Sequence, residues 1–185
     1  MDGGYPQKFT AIEEFLDQAS LYRDCMSVTD LGCSAGAVAI LAAFAGYETV
    51  TGCDHDADYL TLLDTASKGL VATQKWSFGE DFPKADVVMM LALIHWVYSC
   101  TALYGSFTEM FTYLKPFFGK YFVVEWVTPD DAAIRFFKHT GYNPEVVKEE
   151  YNTANFEKGL ALIGKTVDTF KVNGTRILYF VEVAR

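Results

Sequence analysis

Apolar side chains follow a helical spacing in some stretches of the chain and a strand-like spacing in others. Near the N-terminus, Phe9, Ile12 and Leu16 recur every three or four residues with acidic residues between them, which predicts an amphipathic helix. The stretch 86–93 is apolar on both faces, as a central parallel strand is. In chain order, the pattern predicts a helix at 9–23, a strand at 27–31, a helix at 37–45, a strand at 49–53, a helix at 57–68, strands at 71–78 and 86–93, a helix from the Ser106 cap to 114, a strand at 121–126, helices at 129–138 and 155–162, and strands at 166–172 and 176–183.

Turn and cap residues separate these elements. Asp56 and Ser106 are placed to cap the helices that follow them. Asn173-Gly174 stands between the last two strand-like runs, which is the sequence pattern of a β-hairpin. Alternating strands and helices followed by a hairpin predict an α/β fold with a mostly parallel sheet of about seven strands and helices on both faces.

Length and composition support one domain over 1–185, in which the N-terminal helix of 1–26 packs on the sheet. Hydrophobic residues make up 51% of the chain and aromatic residues 16%, which is typical of a folded domain. The apolar run 37–45 is too short to span a bilayer, so no membrane association is expected. The first residues show no secretory pattern, and we expect a cytoplasmic protein.

Charge and metal-ligand patterns narrow the function further. Fifteen Lys and Arg residues against 24 Asp and Glu residues give a formal charge of −9, which disfavours a nucleic-acid partner without excluding it. The four cysteines form no C-x-x-C pair and the three histidines lie at no metal-ligand spacing. We therefore expect buried free thiols and no metal site.

The turn after the first strand is the first candidate binding site. Gly32 and Gly36 let the backbone approach a ligand, since open α/β sheets bind ligands at the carboxyl ends of their strands. Asp54 ends the next strand, where a carboxylate accepts hydrogen bonds from ribose hydroxyls; the alternative is that it only caps the following helix. Ser34 and Ala37 occupy two glycine positions of the dinucleotide-binding pattern. This favours an adenosine-containing ligand other than NAD.

Four segments of the chain resemble motifs of known methyltransferases. The run at 30–36 (DLGCSAG) and the run at 52–56 (GCDHD) resemble the first two motifs of class I S-adenosylmethionine (SAM)-dependent methyltransferases. The segments at 85–96 and 124–131 are similar to those of bacterial methyltransferases related to a host-specific nodulation protein. The resemblance implies a Rossmann-like fold with SAM as the cofactor, and an antiparallel strand inserted into its sheet.

The resemblance also implies a set of cofactor-binding residues. They are Asp30, Gly32, Cys33, Ser34, Gly36, Asp54, His55, Ser77, Phe78 and Leu91. Ser77 stands where many relatives carry an aspartate, and this leaves open whether Glu80 or Asp81 contacts the adenine amine instead. Trp96 replaces the second of two histidines that are usual in the nodulation-related group.

Two residues are candidates for catalysis. His95 follows the fourth predicted strand and is a candidate general base, with a core histidine as the alternative. Glu125 ends the fifth predicted strand, where it would orient His95 or bind substrate; the alternative is pairing with Arg135 or with a nearby backbone amide. Methyl transfer needs little beyond an in-line approach of the nucleophile, so a base is optional.

The sequence thus predicts an enzyme that transfers a methyl group from SAM to an oxygen or nitrogen nucleophile. The acceptor, a small molecule or a macromolecule, is not identified by the sequence. Alternatives are an RNA-end methyltransferase, a catalytically silent binding subunit of the same fold, and a nucleotide-dependent oxidoreductase. Because the chain shows no appended lid domain, a partner that completes the acceptor site is also considered.

Overall fold

The computed structural model describes residues 5–18, 26–100, 106–134 and 150–184. Within these residues, seven strands form one sheet. The strands are β1 (Ser27–Leu31), β2 (Thr49–Asp54), β3 (Ala72–Lys75), β4 (Ala85–Met90), β5 (Phe118–Val127), β6 (Gly164–Lys171) and β7 (Arg176–Val183). The helices are α1 (Tyr5–Gln18), α2 (Ala37–Phe44), α3 (Ala57–Ser67), α4 (Ile94–Cys100), α5 (Phe107–Leu114) and α6 (Thr153–Leu160), and a short 3-10 helix at Lys115–Phe117 leads into β5.

The strand order is β3-β2-β1-β4-β5-β7-β6. Strands β1 to β5 pair in parallel, and β7 runs antiparallel between β5 and β6. The prediction of a mostly parallel sheet that ends in an antiparallel hairpin is confirmed. Because β2 and β4 lie on opposite sides of β1, the order of the strands reverses at β1, which is where such sheets bind ligands.

Helices cover both faces of the sheet, as predicted. On one face, Ile12 of α1 and Leu63 of α3 share a buried cluster with Val123. On the other face, Phe111 of α5 and Phe156 of α6 pack in a second cluster around Trp126 of β5, among others. The sheet is therefore the middle layer of three. Because helices cover both of its faces, a ligand site is expected at the edge where the parallel strands end.

Two predicted caps are confirmed. The side chain of Asp56 accepts a hydrogen bond of 2.9 Å from the backbone N–H of Asp58 at the start of α3. The hydroxyl of Ser106 accepts one of 3.2 Å from the N–H of Glu109 at the start of α5. Both side chains satisfy amide groups that a helix start leaves without partners.

The main difference from the prediction lies after β4. The strand predicted at 86–93 ends at Met90, because Ala92 has a φ of 50° and turns the chain away from the sheet. Helix α4 follows, which the apolar pattern did not predict, and His95 lies in its first turn. Likewise, the strand predicted at 71–78 is confined to Ala72–Lys75.

Residues 135–138 of the helix predicted at 129–138 lie outside the described residues; in the described part, a single 3-10 turn is seen at 132–134. The first helix begins at Tyr5 rather than at Phe9, and the last residues predicted for it lie outside the described ranges. In the part of the chain that the structure describes, no helix has the length and apolar character that crossing a bilayer requires.

Candidate functional site

The loop after β1 is folded tightly against the end of β2. The backbone N–H groups of Gly32 and Cys33 both donate to the carbonyl oxygen of Cys53, at 2.8 and 3.1 Å. Ser34 has a φ of 51°, in the left-handed region that disfavours residues with a side chain. Its N–H donates to Asp54 Oδ2 at 2.8 Å, and this bond to a carboxylate offsets the strain.

The two glycines of the loop serve different purposes. A Cβ on Gly32 would lie 2.7 Å from the side chain of Leu93, and both residues line the cavity described below. A Cβ on Gly36 would lie 2.1 Å from the side chain of Leu63, which is a buried core residue of α3. The expectation that Gly36 leaves room for a ligand is therefore corrected: its missing side chain is required by helix packing.

Asp54 ends β2 and is 5% exposed. Besides the bond from Ser34, its Oδ1 accepts one of 3.0 Å from the N–H of Asp56 and lies 3.1 Å from His55 Nδ1. An ionised carboxylate has about four acceptor positions, so Asp54 retains capacity for further donors. Asp56, rather than Asp54, caps α3.

Asp30 lies in β1, directly before this loop, and is buried. Burial raises the pKa of Asp30 to about 7; a backbone hydrogen bond from Ala39 opposes the rise, and the charge of Asp54 adds to it. Within the described residues, neither Asp30 nor Asp54 pairs with a lysine or arginine. This corner of the sheet therefore has a negative potential.

A cavity of about 590 Å³ opens at the ends of β1, β2 and β4. It is lined by Gly32, Ser34, Asp54, His55, Trp76, Ser77, Phe78, Leu91, Ala92, Leu93 and Trp96. The structure thus brings together seven of the ten residues that the sequence suggested for cofactor binding. The other three, Asp30, Cys33 and Gly36, do not line the cavity.

The lining also includes residues that the sequence reasoning missed. Trp76 directly precedes the predicted Ser77, and its indole N–H donates to the carbonyl of Glu80 at 2.7 Å. The Glu80 carboxylate accepts from the N–H of Ser77 at 2.8 Å, and neither Glu80 nor Asp81 lines the cavity. The signal for Ala92 and Leu93 was their position at the carboxyl end of the most apolar predicted strand, because open α/β sheets bind ligands at that end of their strands.

His95 is 2% exposed and does not line the cavity. Its ring lies 5.4 Å from the ring of Trp96, which does line it. Burial lowers the pKa of His95 to about 4; the charge of Arg176 lowers it further and that of Asp131 raises it. In the described residues, His95 Nδ1 has no hydrogen-bond partner.

Glu125 lies inside β5 rather than at its end and is fully buried. Its Oε2 accepts a bond of 2.8 Å from Lys8 Nζ, so Lys8 rather than Arg135 is the partner seen; Arg135 lies outside the described residues. Its Oε1 lies 3.7 Å from Arg176 Nη1, too far for a hydrogen bond. Arg176 in turn binds Asp131 at 2.9 and 3.2 Å.

Sequence reasoning did not select Lys8, Asp131 or Arg176. For Lys8 a signal existed, because it precedes Ile12 by one helical turn and so lies in the apolar stripe of α1. A lysine in such a stripe indicates a buried carboxylate partner.

The thiol prediction is confirmed for Cys33 and Cys53, which are free and buried. Burial raises the pKa of Cys53 to about 12 and also raises that of Cys33, so both stay protonated near neutral pH. The side chains of the other two cysteines lie outside the described part. Among the described residues, no cluster of three or more potential metal ligands occurs.

No family model and no curated protein sequence matches the chain. Several solved structures are similar to the structure of this chain. One is the magnesium protoporphyrin IX methyltransferase of Synechocystis PCC 6803 with bound SAH, at a TM-score of 0.69 and 14% identity, covering 96% of this chain and 83% of that one. The same enzyme with bound SAM gives a TM-score of 0.66 and 18% identity, covering 95% and 78%.

A third similar structure is WbdD, at a TM-score of 0.68 and 13% identity, covering 95% of this chain and 40% of WbdD. At these identities the likeness shows the fold. The chain has the Rossmann-like fold of class I methyltransferases, as predicted.

Proposed function

We propose that this chain is a SAM-dependent methyltransferase that acts on an oxygen or nitrogen nucleophile. The observation that carries the proposal is the cavity at the sheet's switch point, where the β1 loop and the buried Asp54 meet. Further support comes from the SAM and SAH bound to a similar structure. The closer relation to nodulation-related bacterial methyltransferases and a cytoplasmic location belong to the same proposal, carried by the sequence alone.

The cavity fits this cofactor. Its volume of about 590 Å³ lies within the range of about 300–1,000 Å³ that is usual for ligand pockets. Asp54 would accept hydrogen bonds from the ribose hydroxyls, and the aromatic rings of Trp76 and Phe78 would enclose the adenine. The negative potential from Asp30 and Asp54 suits the positive charges of the sulfonium and the amino group.

When bound, SAM supplies an electrophilic methyl group on a positively charged sulfur. The chain's own contribution is to exclude water and to align the acceptor along the wall formed by Leu91, Leu93 and Trp96. We assign His95 and Glu125 to the acceptor side. His95 is neutral at pH 7 because of its lowered pKa, so it can accept a proton or a hydrogen bond there.

One specific observation favours a second candidate, a binding subunit without catalysis. His95 lies behind the cavity wall rather than on its surface. The RNA-end alternative remains disfavoured by the net charge of −9. The oxidoreductase alternative is disfavoured by the antiparallel β7, which the methyltransferase fold requires.

Calorimetry with SAM, its demethylated product SAH, and NAD tests the proposal. SAM and SAH should bind and NAD should not. Asp54→Ala should weaken SAM binding by about 1.5–3 kcal/mol, or roughly 10- to 150-fold, because hydrogen bonds to a charged group are lost. Asp168→Asn, on the exposed edge strand β6, is the control and should bind normally. Unchanged affinity in a folded Asp54→Ala protein, or tighter binding of NAD, would overturn the assignment.

A further inference from the structure

Five polar side chains lie close together where β5 and β7 pair, on the face of the sheet that α1 covers. We call them the β5–β7 cluster; its members are Lys8, His95, Glu125, Asp131 and Arg176. Lys8 is paired with Glu125, and Arg176 is paired with Asp131 through two hydrogen bonds. With His95 neutral, the charges of the cluster sum to zero.

Two buried atoms of the cluster lack hydrogen bonds. Across the described residues, Glu125 Oε1 and His95 Nδ1 are two of only three such side-chain atoms. Glu125 is fully buried and His95 is 2% exposed. Because native proteins pair nearly all buried polar atoms, such exceptions indicate a polar group that completes the site.

Both atoms belong to residues that adjoin the cavity wall. The His95 ring packs against Trp96, and Trp96 lines the cavity. Val124 is in register with Met90, so Glu125 is level with Leu91, another lining residue. The β5–β7 cluster therefore lies directly behind the part of the wall that contains Leu91 and Trp96.

We propose, building on the proposed function, that the acceptor is an uncharged molecule whose hydroxyl or amino group bonds to Glu125 Oε1 and His95 Nδ1. An amino group has an N–H to donate to each of these two atoms. A hydroxyl donates its single O–H to Glu125 Oε1 and accepts from His95 Nδ1 in the imidazole tautomer that carries the proton there. The remainder of the acceptor is apolar and planar, because the adjoining wall consists of Leu91, Leu93 and Trp96.

The charge balance of the cluster selects against ions. An anionic acceptor would place a second negative charge beside the Glu125 carboxylate, and both cations of the cluster are already paired with carboxylates. A cationic acceptor at Glu125 Oε1 would lie close to the Arg176 guanidinium, which is 3.7 Å from that oxygen. Like charges at such distances in a buried site are unfavourable, so a neutral donor fits best.

Three probes that share a benzene ring and differ in charge separate these cases: phenol, benzoate and benzylammonium. The protein is first saturated with SAH, and each probe is then titrated at millimolar concentration while the imidazole signals of His95 and His55 are followed by NMR. We expect phenol to shift the His95 signals and to bind at least tenfold more tightly than either ion. His55, which lines the cofactor side of the cavity, should respond to SAH and not to phenol.

Glu125→Gln tests the role of the carboxylate. In this variant the amide oxygen must accept the hydrogen bond from Lys8, so the amide N–H₂ group stands where Oε1 stood and cannot accept a hydrogen bond from phenol. Phenol binding should therefore fall about tenfold, while SAH affinity is unchanged. Asp86→Asn is the matched control, since Asp86 also pairs with a lysine, Lys120 at 3.0 Å, at the start of β4. If Glu125→Gln does not fold, His95→Gln replaces it and should cause a similar loss.

The outcomes distinguish this inference from the proposed function. Absence of SAH binding would overturn the proposed function and this inference with it. SAH binding together with tighter binding of benzoate or benzylammonium, or with phenol that leaves His95 unaffected, would overturn this inference alone.

Discussion

The ligand-binding edge of the sheet contains two polar regions that balance their charges differently. In the first, at the ends of β1 and β2, Asp30 and Asp54 are buried with no lysine or arginine partner among the described residues. In the second, the β5–β7 cluster, each carboxylate is paired with a cation. The first region is suited to a positively charged ligand and the second to a neutral one.

The two regions also differ in how their residues are distributed along the chain. Those of the first, Asp30 and Asp54, lie in β1 and β2, which are consecutive strands of the chain. In the second, the pair Lys8–Glu125 joins residues 117 positions apart. Local patterns can reveal the first kind of site, whereas the second becomes visible only when the fold is known.

The largest effect is expected for His95→Ala. If His95 handles the acceptor proton, turnover should fall by about 10²–10⁴-fold while SAM affinity is unchanged, because His95 lies outside the cofactor region. Turnover is measured with labelled SAM and an acceptor from a screen of phenols and amines. Since the pKa of His95 is lowered to about 4, wild-type activity should persist below pH 6, where an ordinary histidine is already protonated.

Full activity of His95→Ala would remove the functional difference between the two regions. The catalytic contribution would then come from positioning alone, and His95 would be a core residue. A loss confined to the Michaelis constant of the acceptor would assign His95 to acceptor binding.

A smaller effect, on stability, is expected for Lys8→Met. The substitution removes the cation that is hydrogen-bonded to the buried Glu125 carboxylate and leaves only Arg176, 3.7 Å away, which should lower the free energy of unfolding by about 3 kcal/mol. The control is Lys120→Met, whose partner Asp86 is partly exposed, and it should cost about 1 kcal/mol or less. Urea unfolding at pH 7 measures both. Equal losses would show that the β5–β7 cluster is no more desolvated than a surface pair.

The fold was predictable because its signals are local: apolar periodicity, caps and the Asn173-Gly174 turn each depend on adjacent residues. Helix α4 was missed because the apolar run continues through Leu93 into Ile94, and composition does not show the positive φ of Ala92 that divides it. In the same way, glycine spacing alone does not distinguish Gly36, which packs on Leu63, from a glycine that faces a ligand.

The last prediction concerns how stability depends on pH in the first region, and Asp30→Asn tests it. Burial, only partly offset by the backbone hydrogen bond from Ala39, raises the pKa of Asp30 from 3.8 to about 7 in the folded protein. The folded state therefore binds this proton more tightly than the unfolded chain. The associated stability is complete below about pH 4 and is lost as the pH rises through 7.

Asparagine cannot ionise, so Asp30→Asn should be as stable as the wild type at pH 4.5 or less so, and should gain on it by about 3 kcal/mol by pH 8. Asp86→Asn gives the opposite sign: burial raises the pKa of Asp86, but hydrogen bonds from Ser27 and Lys120 together outweigh it and lower the pKa. That variant should be less stable than the wild type above pH 4, with a constant difference from pH 5 to 8. Urea midpoints across this range measure both differences. A difference between Asp30→Asn and wild type that does not change with pH would mean that Asp30 ionises normally. The first region would then be charged at every pH tested, and its carboxylates would be as well compensated as those of the β5–β7 cluster.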